Sequence, residues 1–267
     1  MSIVQNGLHL WYDGINNAGE STHDSNATVW KDLSGNNRDG VIAGTTTWGV
    51  QCLAFYGTDG WVNCGAFNPT AQATIDVVVE FKTSSATEGN AVACNWESGG
   101  VGIYQYYARH SFGFYVGGKW QSANGSTCNV RRIVHLTATY DGTNGKLYED
   151  GVLVATTPIS GTLNTTTNST VFSIGSNPSG SKVGSMPLTG YVYAVRLYNR
   201  ALTADEVLTN YQHDAGRFTT HSSFVPAEWY AVKGDILMSI AESIRRNQQS
   251  FDTYTPEQMA HILREIL

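Results

Sequence analysis

Apolar residues recur at every second position through much of the first 217 residues. In the run 75–81, Ile75, Val77, Val79 and Phe81 alternate with Asp76, Val78 and Glu80, the period of a strand with one wetter face. The run 133–140 repeats the pattern, with Val134, Leu136, Ala138 and Tyr140 on one side and His135, Thr137 and Thr139 on the other. Asp150-Gly151 separates two β-rich runs; this dipeptide supplies the positive φ angles of a type I′ turn and predicts a hairpin. From Gly151 to Val195 the only charged residue is Lys182, and Thr, Ser, Asn and Gly fill the turns. Many short strands closed by such turns predict an all-β chain of two packed antiparallel sheets.

The period changes twice. Thr203-Ala204-Asp205-Glu206 reads as a capping box, followed by an apolar face of Val207, Leu208 and Tyr211 and a stop at Gly216, so a short helix is expected to plug one end of the sandwich. Farther on, Ile236, Leu237, Ile240, Ala241 and Ile244 stand at helical spacing. Thr255-Pro256-Glu257-Gln258 caps a second stripe of Met259, Ile262, Leu263 and Ile266. Helices this short are marginal alone in water. Residues 1–217 are therefore expected to form the sandwich, and 218–267 a helical attachment or oligomerisation segment.

Charge is sparse. Lys and Arg total 16 and Asp and Glu 22, a net charge of −6, and charged side chains make up 14% of the chain, against about 25% in ordinary domains. Low charge with 11% aromatic residues excludes a disordered chain. The acidic balance argues against a nucleic-acid partner, which needs clustered Lys and Arg. Apolar runs fall far short of the ~18 residues of a membrane span. The opening MSIVQNGLHLWYDG has neither a basic n-region nor an apolar h-region, so folding in a cytoplasm is expected. Cys52, Cys64, Cys94 and Cys128 make no CxxC pair. Cys52 and Cys64 flank an expected hairpin, but buried reduced thiols are the expectation for all four.

No GxSxG elbow, Walker loop or HExxH occurs, and the histidines are scattered. A glycosidase needs two carboxylates about 5–10 Å apart. Asp76 and Glu80 lie four residues apart on one strand, roughly 13 Å, and Glu149-Asp150 falls at a turn where solvated carboxylates are expected. The chain is therefore expected not to be an enzyme. The positive signal is aromatic: Trp96, Tyr104, Tyr106, Tyr107, Phe112, Phe114, Tyr115 and Trp120 crowd together, with Gln105, Arg109 and His110 among them and Asn124 just beyond. Sugars stack their C–H faces on such rings while amides and charged groups take the hydroxyls. Phe112 and Phe114 are assigned to the core; Trp96, Tyr104, Tyr106, Arg109 and Trp120 are the candidate ligand-binding residues.

The segment Trp30-Lys31-Asp32-Leu33-Ser34-Gly35-Asn36-Asn37-Arg38-Asp39-Gly40, with Leu53-Ala54-Phe55-Tyr56-Gly57 and Gly60-Trp61-Val62 after it, resembles the opening of laminin-G-like, concanavalin A-type jelly-roll domains. Thr139-Tyr140-Asp141-Gly142 with Leu147-Tyr148-Glu149-Asp150-Gly151 resembles the family's central hairpin. The stretch from Gly190 to Leu202, with the capped helix behind it, resembles its closing strand and helix. These matches arrive in order over about residues 8–213. They imply a two-sheet jelly-roll sandwich.

The version with Trp11-Tyr12-Asp13-Gly14-Ile15-Asn16-Asn17-Ala18-Gly19 before the Trp30 motif resembles copies in tail and baseplate proteins of tailed bacteriophages. Ile240–Arg245 and Tyr254–Met259 resemble a short helical segment common in such proteins. The resemblance implies a virion tail appendage, assembled in the host cytoplasm, that binds host-surface glycan. It also implies contacts with other tail or baseplate proteins and a homo-oligomer, a trimer by analogy with tail fibres. Family members often carry an acidic pair just before Val-Arg in the closing strand and use nearby acids for calcium. Here Tyr193-Ala194 stand in that place, and Tyr56-Gly57-Thr58-Asp59-Gly60 replaces a more acidic turn. Asp13, Asp32 and Asp59 remain, short of the ~6–8 oxygens a calcium ion takes, so structural calcium is not expected to be required.

Overall fold

The computed structural model describes residues 2–84, 89–95, 99–164, 171–179 and 182–219, all within the unit Met1–His221. Trp96 and the helices expected in 236–266 lie outside the described residues. In chain order the strands are β1 (Leu8–Asp13), β2 (Val29–Trp30), β3 (Gly40–Ala43), β4 (Thr46–Trp48), β5 (Leu53–Tyr56), β6 (Trp61–Asn63), β7 (Ala73–Phe81), β8 (Asn90–Cys94) and β9 (Val101–Tyr106). They continue as β10 (Arg109–Val116), β11 (Lys119–Thr127), β12 (Ile133–Tyr140), β13 (Asn144–Glu149), β14 (Val152–Pro158), β15 (Ser173–Ile174), β16 (Asn177–Ser179), β17 (Lys182–Ser185) and β18 (Thr189–Tyr198), and helix α1 spans Ala204–Asp214.

One sheet has the order β14-β13-β12-β7-β18-β5-β4, with β1 also paired to β18; the other has the order β11-β10-β9-β8-β15-β6-β3-β2. Every pairing is antiparallel, and the short β16–β17 hairpin stands apart. The all-β sandwich read from the alternation is thus the observed fold. Ile75, Val77, Val79 and Phe81 of β7 and Val134, Leu136, Ala138 and Tyr140 of β12 point inward and meet Ile103, Phe112 and Phe114 from the facing sheet in one core. Asp150 and Gly151 have φ of 50° and 79°, as the β13–β14 turn requires.

Asp32 explains the Trp30 motif. Its carboxylate accepts the backbone N–H groups of Trp11, Ser34 and Arg38, each at 2.9 Å, and so ties the β2–β3 loop to β1. Asp13 accepts from the N–H of Ile15 at 3.0 Å and pairs with Arg217 at 2.8 Å; Asp59 accepts from the N–H of Thr45 at 3.0 Å. All four cysteines are free and buried. Cys52 and Cys64 do not flank a hairpin, because β5 and β6 belong to opposite sheets. Gly175, at φ 89°, packs where a methyl group would overlap the Phe55 ring. Gly175→Ala combines backbone strain with overpacking, and a denaturation curve is expected to show a loss of about 2–4 kcal/mol.

The wetter faces expected on β7 and β12 are not wet. Asp76, Val78, Glu80, His135, Thr137 and Thr139 are all buried. The cover is α1, which does not plug an end but lies on the outer face of this sheet. The capping box forms as expected, with Glu206 N–H donating to Thr203 Oγ1 at 3.3 Å and Thr203 N–H to Glu206 Oε2 at 2.9 Å. The docked positions are Val207, Asn210 and Asp214, whereas Leu208 is exposed. Two of the three are polar because the surface beneath carries charge. Arg196, fully buried, donates through Nη1 and Nη2 to Asp214 at 2.7 and 2.8 Å and through Nη1 to Asp76 at 3.1 Å. Asp76 also binds His135 and Thr137, and accepts from Asn210 Nδ2 at 2.9 Å.

Burial opposes the charged form of His135, but the Asp76 carboxylate outweighs it and Asp214 adds to it, so the imidazole pKa is raised above 6.5. Burial likewise opposes ionisation of Asp76, yet His135 and then Arg196 hold its pKa below 3.8. A raised His135 pKa stabilises the fold fully below pH 6.5 and progressively less as pH rises through its folded value. A depressed Asp76 pKa stabilises above pH 3.8 and is lost as pH falls. Urea midpoints are therefore expected to peak between these limits, and His135→Gln to abolish the alkaline limb and, because His135 leads in holding the Asp76 pKa down, to weaken the acid limb as well.

Candidate functional site

The second sheet carries the aromatic cluster on its outer face. Alternation along β9 sends Ile103 and Gln105 inward and Tyr104 and Tyr106 outward. Tyr107 and Ala108, at φ 47° and 56°, make the tight β9–β10 turn. Register then aligns the strands: Tyr106 stands opposite Arg109, Tyr104 opposite Ser111, and Tyr115 opposite Trp120. Between the last two rows Gly102 faces Gly113, which faces Ser122, so no large side chain rises from the sheet between Tyr104 and Trp120. Trp120 is 46% exposed and is buttressed edge-on by Tyr115 at 5.0 Å. Tyr104 and Tyr106 lie 6.1 Å apart.

A groove of about 590 Å³ runs over this face, lined by Tyr104, Tyr106, Trp120, Gln121, Ser122, Asn177 and Met186. Three of the candidate residues therefore share one groove. Arg109 stands beside it, exposed and in register with Tyr106, and its Nη1 donates to the Gly125 carbonyl at 2.9 Å. Phe112 and Phe114 are core, as expected. Gln105 and His110 are not part of the groove. Gln105 points between the sheets and accepts from Asn90 Nδ2 at 2.6 Å; His110, also buried, pairs with Glu149 at 3.0 Å. Asn177 and Met186 were not foreseeable from local pattern: they arrive from the β16–β17 region, far along the chain. Burial, with the nearby Tyr106 hydroxyl, pushes the Tyr104 pKa up to about 12, so its phenol stays neutral and serves as both donor and acceptor. Flat rings with hydroxyl and amide groups at their edges suit a ligand with apolar faces and a rim of hydroxyls.

Carboxylates elsewhere are occupied. Glu149 is not solvated, contrary to the reading of its turn. It is buried and accepts from His110 Nδ1 at 3.0 Å, from the Ser126 N–H at 2.8 Å and from the Ser126 hydroxyl. The space it needs exists because Gly125 has no side chain there. Burial opposes its ionisation, but the His110 and Ser126 hydrogen bonds bring its pKa down to about 2. Asp150 accepts from the His135 N–H at 3.0 Å and pairs with Arg132. A smaller hollow of about 240 Å³, bordered by Arg132, His135, Asp150, Tyr211 and Asp214, opens beside the buried charge network. Burial opposes ionisation of Asp214 too, but Arg196 holds it far below the usual carboxylate range. It stands as a charged partner and not as a proton donor. Among the described residues no group of three or more His, Cys, Asp or Glu side chains is placed to hold a metal ion.

Comparisons with known proteins place the fold. No curated protein shows significant similarity to the chain. A Trypanosoma rangeli sialidase in complex with sialic acid superposes with a TM-score of 0.56 at 18% identity, over 82% of this chain and 35% of the sialidase. A botulinum neurotoxin type C structure, of a toxin that interacts with two ganglioside molecules, superposes with a TM-score of 0.60 at 13% identity, over 79% of this chain and 52% of the toxin chain. The receptor-binding domain of the botulinum C/D mosaic serotype gives 0.58 at 11%, over 80% of this chain and 53% of the toxin chain. The chain thus spans about a third of the sialidase and about half of each toxin chain. At these identities the likeness shows the lectin-like sandwich itself. The sequence profile of Laminin_G_3, described as a concanavalin A-like lectin/glucanases superfamily, matches residues 57–208, more than half of the chain, and the protein belongs to that family.

Proposed function

We propose that this protein is a non-catalytic carbohydrate-binding protein whose ligand lies in the groove of Tyr104, Tyr106 and Trp120. The observation that carries the reading is the cluster of three outward aromatic side chains on a sheet face of a lectin-like sandwich, with Gln121 and Ser122 beside them in the groove lining. That the sialidase was solved with sialic acid and that the type C toxin interacts with gangliosides supports it. Binding would be reversible and shallow, strengthened by several copies on one particle. No catalytic role is assigned: the carboxylates beside the hollow under α1 are ion-paired or hydrogen-bonded, and glycoside hydrolysis needs one that carries a proton.

The setting we propose is the tail of a bacteriophage, on the resemblance of the Trp11–Gly19 and Trp30–Gly40 motifs and of the segment beyond residue 236 to tail and baseplate proteins. Host-surface glycan and neighbouring tail proteins are then the partners, and a homotrimer the assembly. A structural role within the particle is the second reading. It rests on the edge strand β14, which exposes Val152, Leu153 and Val154 side by side, with Leu208 also exposed. The full chain is to be tested against bacterial surface polysaccharides, with reducing ends assayed in parallel. Saturable binding without release of reducing ends is the expected result. Absence of binding favours the structural role, and release of reducing ends contradicts the non-catalytic reading.

A further inference from the structure

The groove differs from the rest of the molecule in charge. The chain carries 22 acidic residues against 16 basic ones. Yet no Asp or Glu occurs from Gly99 to Tyr140, nor from Gly151 to Ala204. These two runs supply every residue that lines the groove. The cations of the first run are retained, and one of them, Arg109, borders the aromatic face. Arg109 sits directly across from Tyr106 on β10 and so shares its face, whereas Lys119, next to Trp120 in sequence and across from the inward Val116, belongs to the other side of β11. Both are exposed.

Several cations elsewhere on the domain have carboxylate partners, Lys31 with Asp39, Arg132 with Asp150, Lys146 with Asp141, Arg200 with Glu206 and Arg217 with Asp214, and Lys82 lies over the Tyr191 ring. Arg109 has no carboxylate partner among the described residues, and the one hydrogen bond of its guanidinium goes to the Gly125 carbonyl. A guanidinium held at one nitrogen by a backbone carbonyl is oriented without being neutralised. Its remaining N–H groups match a carboxylate in a way that a lone hydroxyl does not. In a protein of net charge −6 an anionic ligand is repelled overall, so a local face without carboxylates, bordered by the Arg109 guanidinium, favours an anion there.

We infer that the groove takes an acidic glycan, a saccharide whose bound residue carries a carboxylate, with Arg109 as the carboxylate anchor and Trp120 and Tyr104 as the stacking surfaces. This rests on the carbohydrate reading of the same groove. Sialic acid and uronic acid residues share the required chemistry.

The test is a titration of the full chain with a sialylated oligosaccharide and with an oligouronate, each beside its own carboxyl-reduced form. The expected result is an affinity for at least one acidic form about tenfold above that of its reduced counterpart. That margin should shrink as salt is raised, because exposed charges are screened. Arg109→Gln is expected to bring the acidic form down to the affinity of the reduced form without moving the melting temperature. Which of the two acidic probes shows the margin distinguishes the sources. Equal affinity for acidic and reduced forms overturns the acidic-ligand inference and leaves the carbohydrate reading in place. No affinity for any of the four probes overturns both.

Discussion

Arg196→Met is expected to destabilise the sandwich by about 3–5 kcal/mol, because it removes the fully buried guanidinium that bridges the buried carboxylates of Asp76 and Asp214. Asp76 and Asp214 are fully or almost fully buried and lie on different elements, β7 and the last turn of α1. With Arg196 present each has a charged partner at 2.7–3.1 Å. Without it their mutual repulsion is left to His135 and Arg217, and α1 loses its main polar anchor to β18. At about 2–4 °C per kcal/mol for a domain of this size, the melting temperature should fall by roughly 6–20 °C. Lys31→Ala is the contrast: its pair with Asp39 is exposed on both sides, and its loss should cost less than about 1 kcal/mol. A similar small effect for both variants in a chemical denaturation series would mean that the buried network does not hold the helix to the sheet.

Trp120→Ala is expected to weaken glycan binding by about 30-fold or more while leaving stability within about 0.5 kcal/mol. The separation follows from position. Trp120 is nearly half exposed, meets Tyr115 edge-on, and belongs to no core cluster. Its loss removes a stacking face and leaves the packing between the sheets intact. Phe114→Ala has the reverse profile: that ring is fully buried between Phe112 and Tyr140, and truncation costs about 3–5 kcal/mol of stability. Isothermal titration of each variant beside its melting curve separates the two roles.

Much of the fold was legible because its signals are local. Alternation named the inward faces of β7 and β12, Asp150-Gly151 named its hairpin, and Thr203 with Glu206 named the start of α1. The outward placement of Tyr104 and Tyr106 and the core placement of Phe112 and Phe114 follow from the same period. What alternation cannot report is what lies above a polar face. Asp76, His135 and Thr137 look wet on their strands and are dry because α1 carries Asn210 and Asp214 down onto them. Glu149 looked solvated for the same reason: the turn residue beside it is exposed to water in sequence terms, while Gly125 opens a slot for it in the facing strand. The groove was half legible. Its rings are consecutive along β9–β11, but Asn177 and Met186 reach it through the separate β16–β17 hairpin, a long-range placement that no local pattern encodes.

The most direct test of the groove as the carbohydrate site is to follow the indole N–H resonances of the tryptophans while a bound oligosaccharide is titrated into ¹⁵N-labelled full-length protein, with the Trp120 signal assigned through Trp120→Phe. A saturable shift at Trp120, with the buried Trp30 and Trp48 unmoved, is the result the proposed site predicts. Saturation of binding with the Trp120 signal unchanged would place the ligand elsewhere and contradict it.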